Sequence, residues 1–544
     1  MVMNRRGFLR ASVIQTAFVG AGLSACAKHP GADGVPSGTD AFRHGVASGD
    51  PQTDRVILWT RVSPEEGRIT ETVRTQWWIA QNRDGSDVVA MGETEATSDR
   101  DFTVKIDADG LQPGSDYYFG FKARGFDSPI GRTRTLPVES VQHVRIAFTS
   151  CANYPNGFFN AYAAIAARDD VDVVLHLGDY IYEYGNGEYG DGTVLGRIPE
   201  PTHEILTLED YRRRHAHYKA DPDLQAAHAR HPWITIWDDH ETADNSRRDG
   251  AANHDTSEGQ WQTRKLSAIR AYYEWMPIRE LPTQLFRSFR FGALADLVML
   301  DTRLHGRDDP APRGDHAVAL DPSRSLLGED QTKWLLDFLS ESNARGAHWR
   351  IIGQQVVFSP WTDGVAGFNS DSWDGYRENR TQVLDHLRGE SIDNVVFLTG
   401  DVHSSWAYDV PPPLASGRSY DPETGEGSHA VEFVTPAVCS GNLLSSPRAK
   451  KMLDGIEARS PHLKYKDAVE KGFVILDLTP ERARAEFVFV DTILERTAAT
   501  HDGPTLETLS GANHLQRIQS SDGEVAINTP ARTRDAQASW KITG

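Results

Sequence analysis

Four short runs each sit directly behind an apolar stretch of strand character. They are Phe148-Thr149-Ser150-Cys151, Leu177-Gly178-Asp179-Tyr180-Ile181-Tyr182, Trp237-Asp238-Asp239-His240-Glu241 and Thr399-Gly400-Asp401-Val402-His403. Each starts with, or soon reaches, a thiol, carboxylate, phenol or imidazole. Near-continuous apolar strands belong to sheets covered on both faces. Such sheets build shared sites from the loops beyond the carboxyl ends of their strands. The pattern therefore predicts an α/β fold in which four distant segments meet at one site suited to several metal ions.

A chain of 544 residues exceeds one ordinary core, so more than one domain is expected. From Phe42 to Leu136 short alternating segments such as Val56-Ile57-Leu58-Trp59-Thr60 read as strands. Leu111-Gln112-Pro113-Gly114-Ser115-Asp116-Tyr117 resembles the tyrosine-corner entry of a fibronectin-type sandwich. After Val138 buried strands alternate with helices, with candidates at Val171–Leu177, Trp233–Trp237, Leu297–Leu300, Arg350–Gly353 and Asn394–Thr399. The expected organisation is a leader over 1–27, a linker over 28–41, a fibronectin-III-like β-sandwich over 42–137, a layered α/β domain over 138–490, and a polar, irregular extension over 491–544.

The leader carries Asn4-Arg5-Arg6-Gly7-Phe8-Leu9-Arg10 before a weakly apolar run to Ala25, which reads as a twin-arginine export signal. The run is too short and too rich in Gly and Ala for a stable membrane span. Leu23-Ser24-Ala25-Cys26 fits a lipoprotein box, which would anchor Cys26 to lipid. Ala25-Cys26-Ala27 fits ordinary signal peptidase equally well. Both readings predict a twin-arginine translocase as export partner and a periplasmic, outer-surface or secreted location. The formal charge of −20 argues against a stable nucleic-acid complex, which needs a basic footprint. Beyond the leader only Cys151 and Cys439 remain, as a disulfide or as a metal thiolate plus a free thiol.

Each run also has an ordinary structural explanation. Asp179 and Tyr182 lie three apart beyond a strand, and a carboxylate after Gly178 has free approach to bridge two cations; the alternative is a surface Asp beside a core Tyr. Asp238, Asp239, His240 and Glu241 put four ionisable groups after a buried strand, at a cost of several kcal/mol unless metals or partners compensate. A helix N-cap at Asp239 explains part of that run, with Asp244 and Asn245 close behind. Asp401 and His403 would face one site if their segment were extended. Cys151 alone is an ordinary core cysteine. Arg303 suits either a phosphate oxygen or a structural ion pair with Asp301 or a neighbour. His215, His217, His228 and His231 fall on different helical faces and read as core or surface residues. Asp371-Ser372-Trp373-Asp374-Gly375-Tyr376 reads as a packing loop.

Taken in order, these runs resemble the PhoD-like alkaline phosphatases, a branch of the calcineurin-like metallophosphatases. The resemblance also covers Gly45–Pro51, Leu58–Arg61, Asp301–Arg303 and Trp373–Tyr376. It implies a layered αββα metallophosphatase domain behind the sandwich and a site of one Fe(3+) and two Ca(2+) ions. Cys151, Asp179, Tyr182 and His403 would bind iron. Asp179 would bridge to calcium, with Asp239, Asn245, Asp401 and, less centrally, Asp238 as oxygen ligands. The implied activity is phosphoric ester hydrolysis, mono- or diester, by metal-activated hydroxide attacking phosphorus in line. His240 would protonate the leaving group or orient phosphate, and Arg303 would neutralise charge on the phosphoryl oxygens. A phospholipase D-like phosphodiesterase acting on lipid headgroups and an exported iron oxidoreductase are the rival expectations.

Overall fold

The computed structural model describes residues 41–64, 71–139, 141–281, 284–312, 315–361, 369–413, 416–442 and 447–518. The residues read as an export signal, Cys26 among them, nearly all of the linker and the last part of the extension lie outside the described residues. Among the described residues no helix is long and apolar enough to cross a membrane.

Two large mixed sheets form the centre. In the first, Val144–Thr149, Val173–His176, Pro232–Thr235 and Val46–Gly49 run parallel as neighbours. In the second, Ala295–Met299, Trp349–Gly353, Val395–Thr399 and Val431–Val434 do the same. Alternation along the second set shows how the layers stack. Leu297, Met299, Ile351, Val396 and Leu398 join the core shared with the first sheet. Val298, Leu300, Ile352, Val395 and Phe397 instead pack under Leu335, Leu339, Val383 and Leu387 of the helices Glu329–Ala344 and Arg377–Gly389. On the far face of the first sheet lie Tyr162 and Ile165 of Asn160–Ala166 and Leu224 and Ala227 of Pro222–Arg230. The result is the expected αββα layering. The two sheets join near the site, where Ser150 bridges to Ala437.

The N-terminal strands are less separate than their sequence suggests. Val46–Gly49 pairs in parallel with Pro232–Thr235, so Val56–Arg61 and Thr103–Ala108 extend the first sheet. A five-stranded sheet then packs over this extension, with Ile79, Tyr117, Phe119 and Phe121 against Val46, Leu58 and Val104. A sandwich is present, but it shares one sheet with the α/β region. The tyrosine corner is also present: the Gln112 N–H donates to Tyr117 Oη at 2.8 Å.

The segment after 490 differs from the irregular reading. Thr500–Leu509 pairs antiparallel with Arg482–Val490, and Gln516–Ile518 completes that end of the sheet. Its polar sequence hides the strand because most of its side chains are exposed or half-buried, with Leu506 and Thr508 the buried positions. Strands near a sheet edge tolerate such composition.

Candidate functional site

The four runs converge just beyond the ends of their strands, and they do so through unusual backbone. Cys151 (φ +61°), Asp179 (+58°), Asn245 (+51°), Asp401 (+66°) and His403 (+55°) are all left-handed. Non-glycine residues in that region store strain and cluster at functional sites. Asp401 and His403 therefore do not alternate along an extended segment as expected; a tight left-handed turn presents them. Gly178 has φ +108°, and a Cβ there would lie 2.3 Å from Asp238 Cβ. Gly178→Ala is expected to push the Asp179 and Asp238 loops apart, lowering both thermal stability and metal content. Unchanged values in a melting scan and elemental analysis would contradict this.

Three groups of potential ligand atoms overlap. In each, the ligand atoms lie within 4.8 Å of one another: Cys151, Asp179 and His403; Asp179, Asp239 and His240; Asp238, Asp239 and Asp401. Asp179 belongs to the first two groups and Asp239 to the last two, so the site is one continuous chain of positions. Tyr182 joins the first: its Oη donates to Asp179 Oδ2 at 2.9 Å and lies 3.1 Å from His403 Nε2. Cys151 and Cys439 are both free and buried, so the disulfide alternative falls away. Asn245 acts through its backbone, donating N–H to Asp239 Oδ2 at 2.5 Å, while its side-chain amide donates to Asp244.

The electrostatics are those of a site built for cations. Burial pushes the carboxyls of Asp179, Asp238 and Asp401 well above the usual range, and neighbouring carboxylates add to it. Burial likewise raises the Cys151 thiol and the Tyr182 phenol. Asp238 Oδ2 is buried with no hydrogen-bond partner. Unpaired buried carboxylate oxygens are costly, and a bound ion is the ordinary remedy. A thiol, a phenol and an imidazole at one end with carboxylates at the other suit a softer and a harder ion respectively.

Arg303 is fully buried inside this cluster. Its Nε donates to Asp238 Oδ1 at 2.5 Å, Nη1 to both oxygens of Asp371 at 3.0 Å, and Nη2 to Asp401 Oδ1 at 2.8 Å. The Asp301 carboxylate accepts the Arg303 and Leu304 backbone N–H groups at 2.9 and 2.8 Å. The guanidinium is thus ion-paired with carboxylates of neighbouring segments, and its side chain does not pair with Asp301.

Several residues without an assigned role support the site. Glu183 Oε2 lies 2.7 Å from His240 Nδ1, and its other oxygen accepts from the Asp244 N–H and from Asn253. Burial opposes charge on His240, but Asp239 and Glu183 outweigh it and hold its pKa well above the ordinary value. Glu241 accepts the backbone N–H groups of Asp179, Tyr180 and Asp238 at 3.0, 2.6 and 2.8 Å, tying two of the loops together. Asp371, placed in a packing loop by sequence, bridges Arg303 and Arg307, whereas Trp373 and Tyr376 of the same run do pack in the core. The local signal for Glu183 and Glu241 was position alone: Glu241 ends one ligand run and Glu183 directly follows another. His215, His228 and His231 are buried and His217 packs on Tyr154; among the described residues the three donor groups do not include them.

Overlapping groups of buried residues able to hold metal ions, set between two stacked sheets, are the arrangement of a metal-dependent hydrolase. Residues 146–487 match the PhoD-like phosphatase family, and residues 26–137 match the PhoD-like phosphatase N-terminal domain. Alkaline phosphatase D of Bacillus subtilis (strain 168) is 37% identical over 503 residues, spanning 88% of this chain and 83% of that protein. A solved structure of PhoD superposes with a TM-score of 0.80 at 35% identity, covering 89% of this chain and 93% of the other. The chain belongs to the PhoD-like phosphatase family, and it is a phosphoric ester hydrolase.

Proposed function

We propose that this protein is an exported alkaline phosphatase or phosphodiesterase whose site holds Fe(3+) at the Cys151, Asp179, Tyr182 and His403 end and Ca(2+) at the carboxylate end. The observation that carries this reading is the overlap of the three donor groups through Asp179 and Asp239, with the thiol and the phenol at one end and carboxylates alone at the other. Ions bound there would supply Lewis acidity toward the phosphoryl oxygens and a nucleophile from water at working pH. Asp179 and Asp239 would fix the spacing of the positions. His403, with Nδ1 2.9 Å from the Gly441 carbonyl oxygen, presents Nε2 to the first of them. His240, held by Glu183 through Nδ1, would give a proton to the leaving alkoxide. Arg303 would balance the carboxylates while substrate binds. Arg5 and Arg6 support export through the twin-arginine route, and Cys26 a lipid anchor.

Elemental analysis of the protein exported by its own pathway tests the metals, with iron and calcium both expected. Active enzyme lacking both would overturn the assignment. A Tyr and Cys site for Fe(3+) should give a visible charge-transfer band that Tyr182→Phe weakens or removes. Hydrolysis of nitrophenyl phosphate against bis-nitrophenyl phosphate separates monoester from diester preference, and release of phospholipid headgroups would favour the phospholipase D-like alternative.

A further inference from the structure

The corner Ser440-Gly441 touches three residues of the iron end at once. Ser440 Oγ lies 2.7 Å from Tyr182 Oη and 2.7 Å from the Cys151 carbonyl oxygen. The next residue, Gly441, holds His403 Nδ1 through its carbonyl. Ser440 is fully buried, so no solvent competes for its hydroxyl.

A serine hydroxyl has one proton to give and two lone pairs to receive. One lone pair is committed, because the Asn153 N–H donates to Ser440 Oγ at 3.0 Å. The proton has two acceptors within reach. The Cys151 carbonyl does not depend on it, since the Ser440 and Cys439 backbone N–H groups point to the same oxygen at 3.3 and 3.4 Å. Tyr182 Oη, by contrast, changes character when a cation binds. With its proton it donates to Asp179; as a phenolate it only accepts. A hydrogen bond to the ionised oxygen is charge-assisted and outcompetes one to a carbonyl.

We propose that Ser440 is a positioning residue that turns its proton to the Tyr182 phenolate, stabilising the ionised ligand and setting the electron density it gives to the metal. The proposal rests on reading Tyr182 as an iron ligand. Supporting groups of this kind orient a ligand and tune its basicity, and losing one typically costs about 10–100-fold in metal affinity or activity.

The test compares the visible spectrum and iron content of the metal-loaded full-length enzyme with those of Ser440→Ala. Removing the donor raises the energy of the phenolate electrons. The charge-transfer band should therefore move to longer wavelength at unchanged iron content, and Ser440→Thr, which keeps the hydroxyl, should restore it. A band that stays in place in Ser440→Ala with full iron overturns the proposal. Should Ser440→Ala fail to fold, resonance Raman of the wild-type enzyme produced in H2O and in D2O decides. A phenolate C–O mode that shifts on deuteration supports the hydrogen bond, and an insensitive mode overturns it. A wild-type enzyme with no band sensitive to Tyr182→Phe instead refutes the ligand reading of Tyr182, a separable failure.

Discussion

Asp179→Ala is expected to reduce kcat/KM by about a thousandfold or more and to lower the metal content of more than one position. Asp179 is the single residue common to the first two donor groups. Lewis-acid stabilisation in such sites is worth several kcal/mol, and about 4 kcal/mol corresponds to roughly a thousandfold in rate. The same truncation relieves burial of a carboxyl whose ionisation is already disfavoured, so the metal-free protein should melt no lower than wild type. The pairing of a large activity loss with an unimpaired metal-free melting temperature is the diagnostic result. Elemental analysis, initial rates and a melting scan on the chelated protein together check it. Loss of activity with both ions retained would show that Asp179 is not the bridge.

His240→Ala should separate substrates by their leaving groups. An alkoxide leaving group needs a proton, and removal of a positioned general acid costs on the order of 10²–10⁴ in rate. Nitrophenolate departs without protonation, so the same variant should lose far less on nitrophenyl phosphate. Glu183→Gln should show a weaker form of the same pattern, because Glu183 keeps the imidazole oriented and charged through Nδ1. Equal losses on alkyl and nitrophenyl esters would instead assign His240 to ion or phosphate binding, which its place beside Asp179 and Asp239 also permits geometrically. Initial rates on a matched pair of esters decide between the two.

Much of the site was legible before the fold was known. The runs containing Cys151, Asp179, Tyr182, Asp238, Asp239, Asp401 and His403 all meet in three dimensions, because a buried strand delivers the residues just beyond its end to a common edge. Asp401 and His403 arrived for a different reason than their spacing suggested. The left-handed backbone at both positions is a local conformation that a two-residue periodicity cannot express. Asp371 was hidden because its partners, Arg303 and Arg307, lie more than sixty residues away. Ser440 was hidden more deeply, since nothing near it in sequence marks it and it reaches Tyr182 across 258 positions.

The sequence by itself determined which residue types end the central strands, and through hydrophobic continuity and alternation it determined that two covered sheets would present them. Those are local properties, set by side-chain chemistry and the two-residue repeat of a strand. Only the tertiary structure decided the pairings. It inserted Val46–Gly49 beside Pro232–Thr235 and made one sheet serve two regions. It extended that sheet through Thr500–Leu509, and it turned Arg303 into a counter-charge for Asp238, Asp371 and Asp401. Strand register and the partners of a buried charge are chosen by long-range burial and by the cost of leaving a charge unpaired, and neither leaves a periodic trace along the chain.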